Sequence, residues 1–291
     1  MPELSIIITT YNAQMTIRDC LQSLEKQKDI AEFEVIVIDS SKDKTADIIR
    51  RDFPWARLFF FKERLYCGSA RNIGISKAKA EIIAFLDADC IAGPDWAAAI
   101  LRSHEGPHLA IGGAIGNADP DSMISTAAYF GEFSQWMPVG RSGPRDDIAG
   151  ANMSYKKSIF EDAGEFIEGT YCSDTVFHWQ LKKAGIKLHF DPDIVIYHHY
   201  SRDLFSLLRH EIEHGRSFAK VRMGYHTFGR RRWLYCLGFF PLFMKIAVAV
   251  AVRSLSNPVY IKPFLKSCPV VLIVIGAWVI GEVTGYLEGL N

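Results

Sequence analysis

Two carboxylates one residue apart, Asp87 and Asp89, close the apolar run IIAFLDADC that extends from Ile82 to Cys90. The run has no polar alternation and is bounded by charge, the pattern of a strand buried on both faces of a parallel sheet. Ligands of open α/β sheets sit beyond the carboxyl ends of the strands, so both acids are predicted to face a ligand crevice. Acids this close repel each other unless they are well solvated or share a cation with some third group, and a divalent metal carrying a phosphate meets that need. The pair also reads as turn aspartates ahead of the helix that Pro94 and Asp95 announce. A second pattern is His210-Glu211-Ile212-Glu213-His214, an HExxH sequence that puts two imidazoles on one helical face, as zinc proteases do. No HxxGxxH continuation follows it, and an amphipathic surface helix beside a membrane explains it equally well.

The elements that would position these residues alternate. SIIITTYN (Ser5 to Asn12), EVIVID (Glu34 to Asp39), RLFFFK (Arg57 to Lys62) and the acidic run read as strands. Between them lie a helix carrying Ile17, Leu21 and Leu24 on one face, a helix over Asp43 to Ile49, and a helix over Ser69 to Ala80. Strand alternating with helix predicts an α/β fold with a mostly parallel sheet flanked by helices. A helix over Pro94 to Arg102 and a glycine-rich strand over Leu109 to Gly116 follow. Asp119 to Asp147 then mixes Pro, Gly and Ser with Tyr129, Phe130, Phe133 and Trp136, which predicts a partly mobile flap. Two further strands are expected, over Ile148 to Tyr155 and Lys187 to Tyr197, separated by a helix that starts at Asp174 with Phe177 and Leu181 on one face.

The zero formal net charge conceals a split: residues 1–200 hold 21 Lys and Arg against 28 Asp and Glu, and residues 201–291 hold 12 against 5. A basic, apolar final third suits anionic lipid better than nucleic acid, which is not an expected partner. The basic stretch Arg202 to Arg222 leads to two apolar runs, Leu234 to Val252 and Pro269 to Gly281. The first has the length of a membrane span but contains Pro241 and Lys245, and the second needs help from its flanks. Arg230, Arg231 and Arg232 precede the first run, and Arg253, Lys262 and Lys266 lie between the two. If both runs crossed, the second basic cluster would face outward against the positive-inside rule, so the first is expected to lie in the interface and only the second to span. A buried helical pair is the alternative. The division expected is 1–225 as the catalytic domain and 226–291 as a membrane-associated helical tail. The six cysteines are scattered without a Cys-x-x-Cys pair, which fits a reducing cytoplasmic setting, and Leu4 to Ile8 is too short for a secretory signal.

SIIITTYN, VIVIDSSKDKT, GSARNIGISKA, FLDAD, GANMSYKKSIF with AGEF, CSDTVFHWQLKKAG and DIVIYHHYS, in that order over roughly residues 4–202, resemble the successive motifs of the family-2 glycosyltransferases. The resemblance implies the GT-A fold, a Rossmann-like sheet, and sugar transfer from a nucleoside-diphosphate sugar. It implies that Thr10, Tyr11, Asn12 and Asp39 grip the nucleotide, Asp39 by accepting from an imide N–H of the base. By the same resemblance Arg71 lies near the base or phosphates, Asp87 reaches the ribose, and Gly150, Ala151 and Asn152 line the sugar and acceptor side. Asp89 and His198 would hold Mg²⁺ or Mn²⁺, with the histidine favouring Mn²⁺.

Asp174 is expected to act as the base that deprotonates the acceptor hydroxyl, on the face opposite the leaving diphosphate. Relatives commonly carry Glu-Asp at this point, whereas this chain has Ser173-Asp174, and a plain N-cap aspartate remains the alternative. The Gln-x-x-Arg-Trp signature of processive members is absent, with only GRSFAKVR ending at Arg222, so transfer of a single sugar is expected. Basic apolar segments point to a membrane-proximal acceptor, a lipid-linked sugar or another membrane-proximal molecule, at the cytoplasmic face of the cell membrane. The competing readings are a membrane-tethered, non-catalytic nucleotide-sugar binder and a zinc protease built on HEIEH. Neither a glycine-rich phosphate loop nor GxGxxG follows the first strand.

Overall fold

The computed structural model describes residues 1–28, 32–200, 203–226 and 238–289. Its strands are β1 (Leu4–Thr10), β2 (Phe33–Asp39), β3 (Arg57–Phe60), β4 (Ile82–Asp87), β5 (Cys90–Ala92), β6 (Ala110–Asn117), β7 (Gly143–Arg145), β8 (Asn152–Lys156) and β9 (Leu188–His198). They form one sheet in the order β3-β2-β1-β4-β8-β6-β9-β5, with β7 paired to β9. β1 runs parallel to β2 and β4, β8 is antiparallel to both β4 and β6, and β6 is parallel to β9. The carboxyl ends of β1, β2, β4, β6 and β9 therefore share one edge, where register sets Thr10 beside Asp39, Thr9 beside Asp87, and Cys90 and Asn117 beside His198.

The β-branched runs of β1, β2 and β4 are buried along nearly their whole length because helices cover both faces. These helices are α1 (Ile17–Glu25), α2 (Thr45–Asp52), α3 (Cys67–Lys77), α4 (Trp96–His104), α6 (Ile159–Ala163) and α7 (Ser173–Lys183). Ile7, Ile36, Ile38, Phe85, Met153, Tyr155, Phe166 and Phe177 share one apolar cluster. The fourth expected strand thus ends at Asp87, and the strand expected from Ile148 starts only at Asn152.

The chain divides into two compact units, Met1–Ala118 with Trp136–His199, and Asp119–Gln135 with Tyr200–Asn291. The flap expected over Asp119 to Asp147 contains a helix, α5 (Met123–Phe133), followed by a 3-10 turn and β7. Ser122 Oγ caps α5 at the Ser125 N–H, and Tyr129, Phe130 and Phe133 are buried. The aromatic residues that looked loop-like fill a core, as an all-round apolar helix must.

The second unit also holds α8 (Leu204–Tyr225), α9 (Phe239–Leu255) and α10 (Pro258–Glu288). Phe130 meets Phe264 edge to face with centroids 5.4 Å apart, packing α5 on α10. α10 lies directly on α8, because a Cβ at Gly215 would overlap the Trp278 carbonyl and one at Gly281 the Ile212 carbonyl. Arg222 Nη1 donates to Tyr286 Oη at 3.0 Å, and that hydroxyl donates to Glu282 Oε1 at 3.0 Å. Pro263 and Pro269 lie inside α10 without ending it. Of the two apolar runs, the second is therefore the longer helix. α10 has 31 residues, and its most apolar 18-residue stretch has a mean hydropathy of 2.1, so the helix is long and apolar enough to cross a membrane by length and composition. α9 has 17 residues, about 25 Å, short of the roughly 30 Å hydrocarbon layer. The first run's opening residues, Leu234 to Leu237, and the cluster Arg230 to Arg232 lie outside the described residues, as does Arg202.

Candidate functional site

Asp39 ends β2 and is fully buried. Its Oδ1 accepts from Thr10 Oγ1 at 2.5 Å, from Ser41 N–H at 3.0 Å and from Ser41 Oγ at 2.5 Å. Asp39 Oδ2, by contrast, has no hydrogen-bond partner in the structure. An unmatched carboxylate oxygen is costly in a protein interior, and a ligand N–H would relieve it. Asn12, at φ 56, ties the two strand ends together: its N–H donates to Ser41 Oγ at 2.7 Å and its Oδ1 accepts from Lys42 N–H at 2.9 Å. Tyr11 remains 37 % exposed beside them. The Arg64 guanidinium lies 4.4 Å from the Tyr11 ring centroid and 5.0 Å from that of Tyr66, and donates to Tyr171 Oη at 2.8 Å. This flat cationic and aromatic surface was missed from sequence, since Arg64, Tyr66 and Tyr171 carry no spacing that links them.

Arg71 is almost wholly buried, on α3. Its Nη2 lies 3.7 Å from Asp87 Oδ1 and donates to the Gly150 carbonyl at 3.2 Å, and its Nη1 donates to Ser173 Oγ at 3.4 Å. Gly150 occupies the gap between this guanidinium and Asp174. A Cβ there would overlap Asp174 Oδ2, with Asp174 Cγ 2.9 Å and Arg71 Nη2 3.2 Å away. One cation thus faces two carboxylates from different elements. Partial burial raises the Asp87 carboxyl above its usual range, with Arg71 opposing the shift and Asp89 adding to it.

Asp174 is not the N-cap of α7. That place belongs to Cys172, which adopts a left-handed φ of 59, and Asp174 lies one residue inside the helix. The α7 dipole still favours its ionised form. Behind it, His178 is clamped between Asp147 Oδ1, 2.5 Å from Nδ1, and Tyr155 Oη, 2.8 Å from Nε2, which fixes the rotation of α7 against β8. Sequence reading passed over this set because its members are spread over three segments.

At the other end of the row Asp89 Oδ1 lies 3.5 Å from His198 Nε2. That is longer than a good hydrogen bond and near the roughly 3 Å that separates neighbouring ligands on a small divalent ion. Cys90 Sγ falls within 4.8 Å of both. Burial first, then Asp89 and Asp87, push the Cys90 thiol well above its ordinary range, so it stays protonated and is a poor ligand for a hard cation. Asp87 and Asp174 face one guanidinium while Asp89 stands beside His198, and the oxygen and imidazole donors of that pair fit a divalent ion.

Thr10, Asn12, Asp39, Arg71, Asp87, Asp89, Gly150, Asp174 and His198 are thus brought to one edge. Asn152 is not. Its amide donates to the Ala114 and Ile194 carbonyls at 2.8 and 2.9 Å and accepts from Trp96 Nε1 at 2.8 Å, which leaves it turned into the core as a pin between strands.

Residues 5–163 match the family model described as Glycosyl transferase family 2. Glycosyltransferase AglE of Haloferax volcanii is 26% identical over 231 residues, covering 77% of this chain and 75% of that protein. A dolichyl N-acetyl-alpha-D-glucosaminyl phosphate 3-beta-D-2,3-diacetamido-2,3-dideoxy-beta-D-glucuronosyltransferase of Methanococcus voltae is 26% identical over 271 residues, covering 85% of this chain and 81% of its own. Other curated relatives match over shorter stretches, and the chain spans only about a quarter of their length. Among solved structures, mannosyltransferase PcManGT from Pyrobaculum calidifontis, in complex with GDP-Man and Mn²⁺, superposes with a TM-score of 0.65 at 18% identity, covering 100% of this chain and 88% of that one.

Proposed function

Because the chain belongs to glycosyl transferase family 2 and is a glycosyltransferase, we propose that it transfers one sugar, with inversion, from a nucleoside-diphosphate sugar to a membrane-proximal acceptor, a glycan or a lipid-linked sugar. The observation that carries this reading is the row of acids at one sheet edge. Asp174 is packed on Gly150 and joined through Arg71 to Asp87, and Asp89 with His198 continues the row.

Asp39 Oδ2 accepts a base N–H once the groups covering it move aside, Tyr11 and Arg64 offer faces for the ring, and Asp87 takes the ribose. Asp89 and His198 would hold Mg²⁺ or Mn²⁺, which when bound would supply a Lewis acid for the charge of the departing diphosphate. Asp174 accepts the proton of the acceptor hydroxyl. The freed oxygen bonds to the anomeric carbon as the bond to the diphosphate oxygen breaks, and the electron pair leaves with the nucleoside diphosphate. Attack from the side opposite the leaving group inverts the centre. Arg71 neither touches the sugar nor moves a proton in this scheme; it holds Asp87, the Gly150 carbonyl and Ser173 in place beside Asp174.

The test is a thermal-stabilisation screen of UDP-, GDP- and dTDP-sugars with and without Mn²⁺ or Mg²⁺. One base class is expected to stabilise the protein, more strongly with metal, and Asp89→Asn is expected to weaken metal-assisted donor binding about tenfold. Absence of stabilisation by every nucleotide sugar would overturn the reading.

A membrane-proximal acceptor is supported by the second unit. Phe240, Met244, Val248 and Val252 form an exposed stripe at four-residue spacing along α9, and Val259, Leu265, Ile273 and Ile280 are exposed on α10. Arg253, Lys262 and Lys266 suit an anionic cytoplasmic leaflet beside them. By its name the Methanococcus voltae relative acts on a dolichyl-linked sugar, which supports a lipid-linked acceptor here. Replacing Phe240, Val248 and Val252 together by serine is expected to move the protein from the membrane pellet toward the supernatant. Removing the whole tail would instead strip the cover from α8. Unchanged partitioning of the triple variant would count against membrane seating through α9.

A further inference from the structure

The HEIEH pattern is not used by sugar transfer, and the fold gives it a third partner. His210 and His214 stand one turn apart on α8 with ring centroids 5.7 Å apart. Glu132, one residue before the end of α5, brings its carboxylate to them, so that one ligating atom from each of the three residues lies within 4.8 Å of the other two. His214 is fixed edge-on against the Trp278 ring at 4.7 Å. We propose that Glu132, His210 and His214 bind a divalent transition-metal ion of the zinc class, which staples α5 to α8 within the second unit.

Chemistry selects the ion. Two imidazoles and one carboxylate suit zinc and its neighbours, whereas Mg²⁺ and Ca²⁺ prefer all-oxygen sets. Bonds of about 2.0–2.1 Å to a tetrahedral ion place donors roughly 3.3 Å apart, which side-chain rotation from the present spacing supplies. Water takes the fourth position. The ligands differ from Asp89 and His198, and so does the expected metal. A protease role does not follow, because the Glu211 that would activate water is only 3 % exposed, inside the helix packing. Its Oε1 has no hydrogen-bond partner.

The experiment uses the full chain, stripped with a chelator and titrated with Zn²⁺ alone against a chromophoric competitor. The Asp89→Asn/His198→Ala background silences the other metal position. One Zn²⁺ per chain is expected with a dissociation constant below about 1 μM, Co²⁺ in its place giving the intense visible bands of a four-coordinate site. Affinity should fall about a hundredfold or more in His210→Ala/His214→Ala. The near-isosteric Glu132→Gln, which keeps the helix packing, should lose about tenfold. Zn²⁺ should also raise the melting temperature of the parent but not of the histidine double variant. Zinc uptake that ignores these substitutions, or none tighter than about 100 μM, would overturn the site and leave a metal-free contact between Glu132 and the two histidines.

Discussion

Asp174→Asn is expected to bind donor as the parent does and to transfer almost nothing, with kcat lower by about a thousandfold, or about 4 kcal/mol of barrier. Asparagine fills the same volume, so the close fit against Gly150 survives. What disappears is the ability to take a proton. Donor groups are assigned to other residues, so its dissociation constant should change less than about threefold. The loss should appear in kcat rather than in KM. Because the family commonly has a second acid before this aspartate and this chain has Ser173, the adjacent position in sequence offers no substitute carboxylate. Ser173 Oγ is moreover engaged by Arg71 Nη1 at 3.4 Å. A variant turning over within tenfold of the parent would remove Asp174 from the base role and return the question of which group accepts the proton.

The strands that deliver the site were legible because β-branched runs buried on both faces have few other interpretations. Ile6 to Ile8, Val35 to Ile38 and Ile83 to Leu86 are all buried as read. What could not be read was contact between segments distant in sequence. Arg71 looked like a cation for the nucleotide, but only the fold reveals that its guanidinium is enclosed by Phe85 and Phe166 and spent on protein carboxylates. Asn152 lay in a motif, yet its three hydrogen bonds go to Trp96, Ala114 and Ile194, partners that no spacing predicts. The segment after Asp119 misled for the opposite reason. Its flanking prolines and glycines suggested a loop, while the apolar side chains between them had a helical partner surface in α10 that lies more than a hundred residues away. The second apolar run, read from Pro269 to Gly281, likewise proved to be part of a longer helix that continues through Pro263 and Pro269. Close packing on α8, where Gly281 meets the Ile212 carbonyl and Gly215 the Trp278 carbonyl, outweighed the local cost.

The burial of Arg71 leads to the second large effect. Arg71→Met keeps much of the apolar stem but removes the charge that Asp87 and Asp174 face, and breaking such a buried arrangement by deleting one partner costs about 3–5 kcal/mol. The melting temperature should fall by roughly ten degrees. Activity should fall with it at temperatures where the variant is still folded, because Asp87 and Asp174 lose the cation that faces them both. Arg71→Lys separates the charge from the fork. An ammonium restores the charge, yet it cannot reach Asp87, the Gly150 carbonyl and Ser173 at once, as the guanidinium does at 3.7, 3.2 and 3.4 Å. It should therefore recover most of the stability and only part of kcat, with donor affinity little changed. The opposite pattern, unchanged melting with donor affinity reduced in both variants, would mean that the guanidinium meets the diphosphate directly. The arrangement of two acids about one buried cation would then have to be understood as the state before donor arrives, with Arg71 leaving Asp87 for the phosphates on binding.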